Sequence, residues 1–71
     1  MNQIIEVDAR GLSCPEPVLL TANALKANPG AQLRIMANEA HVRMNVEKLL
    51  RSKKVPFETE EIGSEYVILT K

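Results

Sequence analysis

Gly11-Leu12-Ser13-Cys14-Pro15-Glu16-Pro17 is the stretch where this chain passes from a strand pattern to a helical one. Before it, Ile4-Ile5-Glu6-Val7-Asp8 is β-branched and partly alternating, which reads as a first strand. After it, Val18, Leu19, Ala22 and Leu25 recur at helical spacing, so a helix is expected over 15–27, stopped by Asn28-Pro29-Gly30. Cys14 reads as the N-cap and Pro15 as the first helical residue, because proline lacks an N–H that would be unpartnered there and its φ is already helical. Amides just beyond have no intrahelical carbonyl, and the macrodipole makes this end partly positive. A free thiol titrates at about 8.5, and a helix N-terminus lowers that value, so Cys14 gains from ionising to the nucleophilic thiolate. A lone cysteine can equally be a small buried hydrophobe. Such a residue belongs on an apolar stripe, however, and Cys14 precedes the stripe.

The remaining pattern completes a β-α-β-α-β-β order. Gln32 to Ala37 alternates as a second strand with Leu33, Ile35 and Ala37 on one side. Asn38 is a suitable N-cap for a second helix, with Glu39 in its first turn. Val42, Val46, Leu49 and Leu50 form that helix's apolar stripe through about Ser52. A third strand is expected over 55–62, late-starting or at an edge because of Pro56. Gly63-Ser64 is a glycine-first hairpin signal leading into Tyr66-Val67-Ile68-Leu69 as the fourth strand. Short connections place both helices on one face of a four-stranded mixed sheet, giving an α/β (α+β) two-layer sandwich over residues 1–71 as one domain.

With 71 residues, about 60% of the unfolded surface can be buried. Nine basic and nine acidic residues cancel, leaving no net charge to draw nucleic acid or an anionic membrane. One cysteine allows no internal disulfide, and one cysteine with one histidine is too few for a zinc site. No segment has the roughly 20 apolar residues of a membrane span, and Met1-Asn2-Gln3 does not open a signal peptide. A reducing cytoplasm is the expected compartment, since a free thiol persists there.

The segment from Asp8 through Gly11-Leu12 to Cys14-Pro15-Glu16-Pro17-Val18 resembles the signature of the TusA-like (SirA-like) sulfur-carrier family. That signature is an acidic residue, then Gly-Leu, then Cys-Pro-x-Pro opening a helix, and the likeness in length and element order runs over nearly the whole chain. Asn38-Glu39-Ala40, Asn45-Val46 and the ending in Tyr66-Val67-Ile68 are more similar to the TusA-like domain of YedF-type proteins, which are associated with selenium metabolism. Many TusA relatives carry an acidic residue at the end of the second strand, where this chain has Ala37-Asn38. YedF-type proteins usually continue into a DsrE-like domain, whereas this sequence stops at Lys71. The resemblance implies that Cys14 carries sulfur as a persulfide. It also implies a cysteine desulfurase or other persulfide donor, and an acceptor sulfur-relay protein, a DsrE-like one among the candidates. No metal or organic cofactor is expected.

Around Cys14, Gly11 gives a flexible approach while Pro15 and Pro17 stiffen the exit. Arg10 is open to two readings: a cation for a thiolate or persulfide anion, or a surface partner of Asp8 or Glu16. Glu16, two residues from the sulfur, opposes a strong fall in the thiol pKa. Leu20 and Met44 lie off the expected apolar stripes and mark a contact surface or ordinary exposed side chains. His41 reads as a surface residue. Lys48, Arg51, Lys53 and Lys54 suit a helix C-terminus and can help docking to an acidic partner. RNA recognition usually adds stacking aromatics or a clamp, which this cluster lacks. The rival expectation is a non-catalytic module that binds RNA or a regulatory protein, with Cys14-Pro15 only starting a helix.

Overall fold

A computed structural model describes residues 4–12 and 15–70 of the chain. The β-α-β-α-β-β order is as expected: β1 (Ile4–Asp8), α1 (Glu16–Ala27), β2 (Gln32–Ala37), α2 (Ala40–Ser52), β3 (Phe57–Ile62) and β4 (Glu65–Thr70). The four strands lie in the order β1-β2-β4-β3. β1 runs parallel to β2, whereas β2–β4 and β3–β4 are antiparallel. The sheet is therefore mixed, and one of its faces carries both helices.

Alternation along the strands builds the core. Val7, Leu33, Ile35, Ala37 and Ile68 point to the covered face, where Val42, Val46 and Leu50 of α2 meet them. Ala24 and Leu25 of α1 pack at the margin of this cluster. Thr70 is the one polar member of the inward row of β4, and its hydroxyl accepts the Leu33 N–H at 2.7 Å. A side-chain oxygen thereby satisfies a buried backbone donor.

α1 begins one residue later than its sequence pattern suggests. Pro15 holds the cap position, Glu16 is the first helical residue and Pro17 the second, so Cys14 precedes the cap rather than forming it. The buried face is also rotated. Pro17 and Thr21 are buried, and Ala24 and Leu25 continue that face at i+3/i+4 spacing, while Leu19 is 54% exposed. Thr21 can turn inward because its hydroxyl donates to the Pro17 carbonyl at 2.8 Å. Leu20, expected off the face, is indeed exposed.

α2 differs at its start. Glu39, with an extended backbone, is the cap residue in place of Asn38, whose side chain is engaged elsewhere. The stripe of Val42, Val46 and Leu50 is buried as expected, with Leu49 only partly covered. Glu47 is buried too, held by Arg43 at 3.0 Å and by the Thr59 hydroxyl of β3. The helix ends in a Schellman arrangement. Lys54 N–H donates to the Arg51 carbonyl and Val55 N–H to that of Leu50. This geometry places Lys54 at φ +59, where glycine is usual. Val55 and Pro56 stay outside β3, which is an edge strand starting at Phe57. The Gly63-Ser64 turn pairs Ile62 with Glu65, with Gly63 at φ +62.

Replacing Thr70 by valine keeps the shape but strands the buried Leu33 amide. Thr70→Val is expected to lower unfolding free energy by about 1–3 kcal/mol in urea titrations, and Thr70→Ser to retain most of it. Equal losses in the two variants would rule out the hydrogen bond as the cause.

Candidate functional site

The parallel pairing of β1 with β2 sets the ends of both strands side by side, with Asp8 opposite Met36. The chain leaving β1 toward α1 thus emerges beside the chain leaving β2 toward α2. Between them lies the approach turn, residues 9–12, which leads to Cys14; Ser13 and Cys14 themselves lie outside the described residues.

Every amide of this turn has an acceptor. Ala9 N–H donates to the Met36 carbonyl at 2.8 Å and continues the sheet. Arg10 N–H donates to Asp8 Oδ1 at 3.1 Å, and Gly11 N–H to Asn38 Oδ1 at 3.3 Å. Leu12 N–H closes onto the Ala9 carbonyl at 3.4 Å. Gly11, third of these four residues, has φ +76, the position at which a type II turn requires a left-handed residue. The glycine therefore permits a defined bend and does not simply loosen the approach.

Arg10 is committed to carboxylates. Its guanidinium donates to both Asp8 oxygens at 2.9 and 3.0 Å and reaches Glu65, at the start of β4, at 3.4 Å. Of its two sequence-level readings the ion pair with Asp8 is found, Glu65 is an added partner, and no contact with Glu16 is present among the described residues. The Arg10 side-chain and backbone donors hold the Asp8 carboxyl down at about 2, and the same pair raises Arg10 above its ordinary value. The charge of Arg10 is thus shared between two carboxylates.

At the start of α1, prolines at the cap and second positions bring no N–H. Glu16 and Val18 are left as first-turn amides without an intrahelical partner. The Pro15 carbonyl accepts the first helical bond from Leu19 at 3.0 Å. Pro15 and Glu16 are exposed and Pro17 is buried, so a proline anchored in the core holds the cap at the surface.

Charge is sorted between the two layers. Lys26, Arg43, Lys48, Arg51, Lys53 and Lys54 belong to the helices and the turn after α2, against Glu16, Glu39 and Glu47. The open sheet face carries Glu6, Asp8, Glu58, Glu60 and Glu65 against Arg34, with Arg10 bridging Asp8 and Glu65 at its rim, while Glu61 falls on the helix-side row of β3. Among the described residues, Lys26, Lys48, Lys53 and Lys54 form no ion pair. Two open clefts border α1, the first against α2 and the second against the segment that follows α2. One of about 330 Å³ is lined by Val18, Leu49 and Lys48, and one of about 710 Å³ by Ala22, Leu25, Lys26, Lys53 and Val55. Leu20 and Met44 are exposed on the same layer, joined by the unexpected Leu19. His41 is exposed beside Glu39. No group of three or more metal-ligating side chains occurs among the described residues, and no helix is long and apolar enough to cross a membrane.

The family model described as sulfurtransferase TusA matches residues 5–71. The chain belongs to the TusA family. A search of curated proteins finds no match. Among solved structures it is similar to a SirA-like protein from Desulfitobacterium hafniense, with a TM-score of 0.83 and 21% identity over 96% of this chain and 95% of that one. That likeness bears on the fold. TusA membership makes sulfur carriage the family-level function and implies sulfur-relay partner proteins in general.

The Asp8–Arg10 contact predicts a pH response. The folded pKa of Asp8 lies below the ordinary 3.8, so the contact stabilises the fold above that value and is lost as pH falls toward 2. Carboxyl NMR titration is expected to place the Asp8 midpoint near 2 and to return it toward 3.8 in Arg10→Gln. A midpoint near 3.8 in the unmodified protein would contradict the contact.

Proposed function

We propose that this chain is a persulfide carrier in which Cys14 accepts sulfur from a donor protein and yields it to an acceptor thiol. Cys14 thiolate attacks the outer sulfur of a donor Cys–S–SH. The donor S–S bond breaks, the donor leaves as a thiolate, and the outer sulfur with its hydrogen becomes Cys14–S–SH. An acceptor thiolate then repeats the displacement on Cys14–S–SH. Neither step needs an external oxidant, a metal or an organic cofactor. The observation that carries this reading is the family match spanning the Cys-Pro-x-Pro segment, together with the fully hydrogen-bonded turn leading to it. The partly positive start of α1 supports it by favouring the thiolate and the persulfide anion.

The donor in this reading is a cysteine desulfurase or another persulfide enzyme, and the acceptor a relay protein, with a DsrE-like partner as one choice. Thiolated tRNA or a selenium product are the outcomes to distinguish, and the compartment is the reducing cytoplasm. The helix layer is the docking side. Its unpaired lysines suit an acidic partner, and Leu19, Leu20 and the cleft floor supply apolar contact. Lys54 is the most telling of these residues. A non-glycine residue in the left-handed region costs about 1–2 kcal/mol, so a lysine at φ +59 points to use of its charge.

Incubation with a cysteine desulfurase and cysteine is expected to add one sulfur atom by intact mass, removable by dithiothreitol and absent in Cys14→Ser. Uptake that persists in Cys14→Ser, or no uptake from several donors, would favour the non-catalytic binding module. Lys54→Gly is expected to raise unfolding free energy by roughly 0.5–1 kcal/mol, since relief at φ +59 is partly offset by the freer unfolded chain. The same variant should weaken donor docking at low salt, and the deficit should fade at high salt.

A further inference from the structure

We infer that Asn38 is a positioning residue for Cys14, its side-chain oxygen fixing the approach turn through the Gly11 amide. The inference rests on the sulfur-carrier reading for its kinetic arm only. Asn38 follows β2 directly and has the residue type of a helix cap, yet Glu39 occupies the cap position and makes no side-chain cap bond. The Asn38 oxygen instead crosses to the neighbouring connection and accepts from Gly11 N–H at 3.3 Å.

Of the other amides of the turn, Ala9 N–H continues the sheet to the Met36 carbonyl of β2, while those of Arg10 and Leu12 are held by Asp8 and Ala9 within the β1 end itself. The Gly11 bond joins residues 27 positions apart and ties the turn to the β2–α2 junction. On the other side Arg10 ties it to Glu65, 55 residues away. The turn is thus braced from β2 and from β4. Gly11 is the pivot, since its φ of +76 is reached easily only by glycine and its amide has no other acceptor among the described residues. Without the Asn38 oxygen that amide turns to water, and the turn that leads toward Cys14 loses its side-chain tie to the β2–α2 junction. For an in-line displacement at sulfur, small errors of placement act on the rate of the bound complex more than on docking.

The test compares Asn38→Leu, which removes the acceptor, with Asn38→Asp, which keeps an oxygen there. In the full chain, Asn38→Leu is expected to move the Gly11 and Cys14 amide resonances while leaving those of the β2–β4 core in place. Single-turnover sulfur acceptance at saturating donor, measured above the thiol titration, should fall ~5- to 10-fold with little change in donor KM. Asn38→Asp should restore that plateau rate, even though its charge moves the pH profile upward. Unmoved Gly11 and Cys14 resonances in Asn38→Leu would overturn the inference whatever the sulfur chemistry does. So would an unchanged plateau rate, or an Asn38→Asp rate as low as that of Asn38→Leu. Failure of the unsubstituted protein to accept any sulfur would overturn the carrier reading instead, and the resonance comparison would still decide the role of Asn38.

Discussion

The parallel pairing of β1 with β2 is the constraint on which the rest depends. Parallel neighbours must be joined by a crossover, here through α1, and this puts the end of β1 and the end of β2 at the same rim of the sheet. From that adjacency follow the Ala9–Met36 hydrogen bond, the reach of Asn38 to Gly11, and the emergence of both helices beside one another. The antiparallel β4 on the far side of β2 then brings Glu65 to the same rim, where it meets Arg10. The turn at this point is mounted on main-chain geometry set by the whole sheet.

Much of the fold was legible because its signals are periodic. Leu33, Ile35 and Ala37 alternate and are buried, and Val42, Val46 and Leu50 follow the helical period and are buried. Gly63-Ser64 and Pro56 mark a hairpin and an edge strand through backbone chemistry that tertiary context leaves intact. α1 departs from its expected face where a polar side chain satisfies itself. Thr21 is buried with its hydroxyl bonded to the Pro17 carbonyl, and this rotation turns Leu19, expected on the buried face, to solvent. Glu47 carries no periodic signal, and its burial depends on Arg43 and on Thr59 of β3.

The site was legible in a narrower sense. The Cys-Pro-x-Pro segment and Gly11 stand out in the chain, and Asp8 as a partner of Arg10 follows from proximity. Asn38 and Glu65 could not be found that way. They lie 27 and 55 positions from the residues they hold, and only strand order and register bring them there. The strain at Lys54 has no local signature at all, because it follows from how α2 ends against Val55.

The excess of cations in the helix layer and of carboxylates on the open sheet face gives a formally neutral chain a separation of charge across its two layers. A neutral molecule feels no net pull toward a charged partner at long range, but a dipolar one is turned in that partner's field before contact. Rotational search, often the slow part of productive encounter, is shortened without the non-specific adhesion that a net charge brings. Orientation of a neutral molecule is thus a matter of torque rather than attraction.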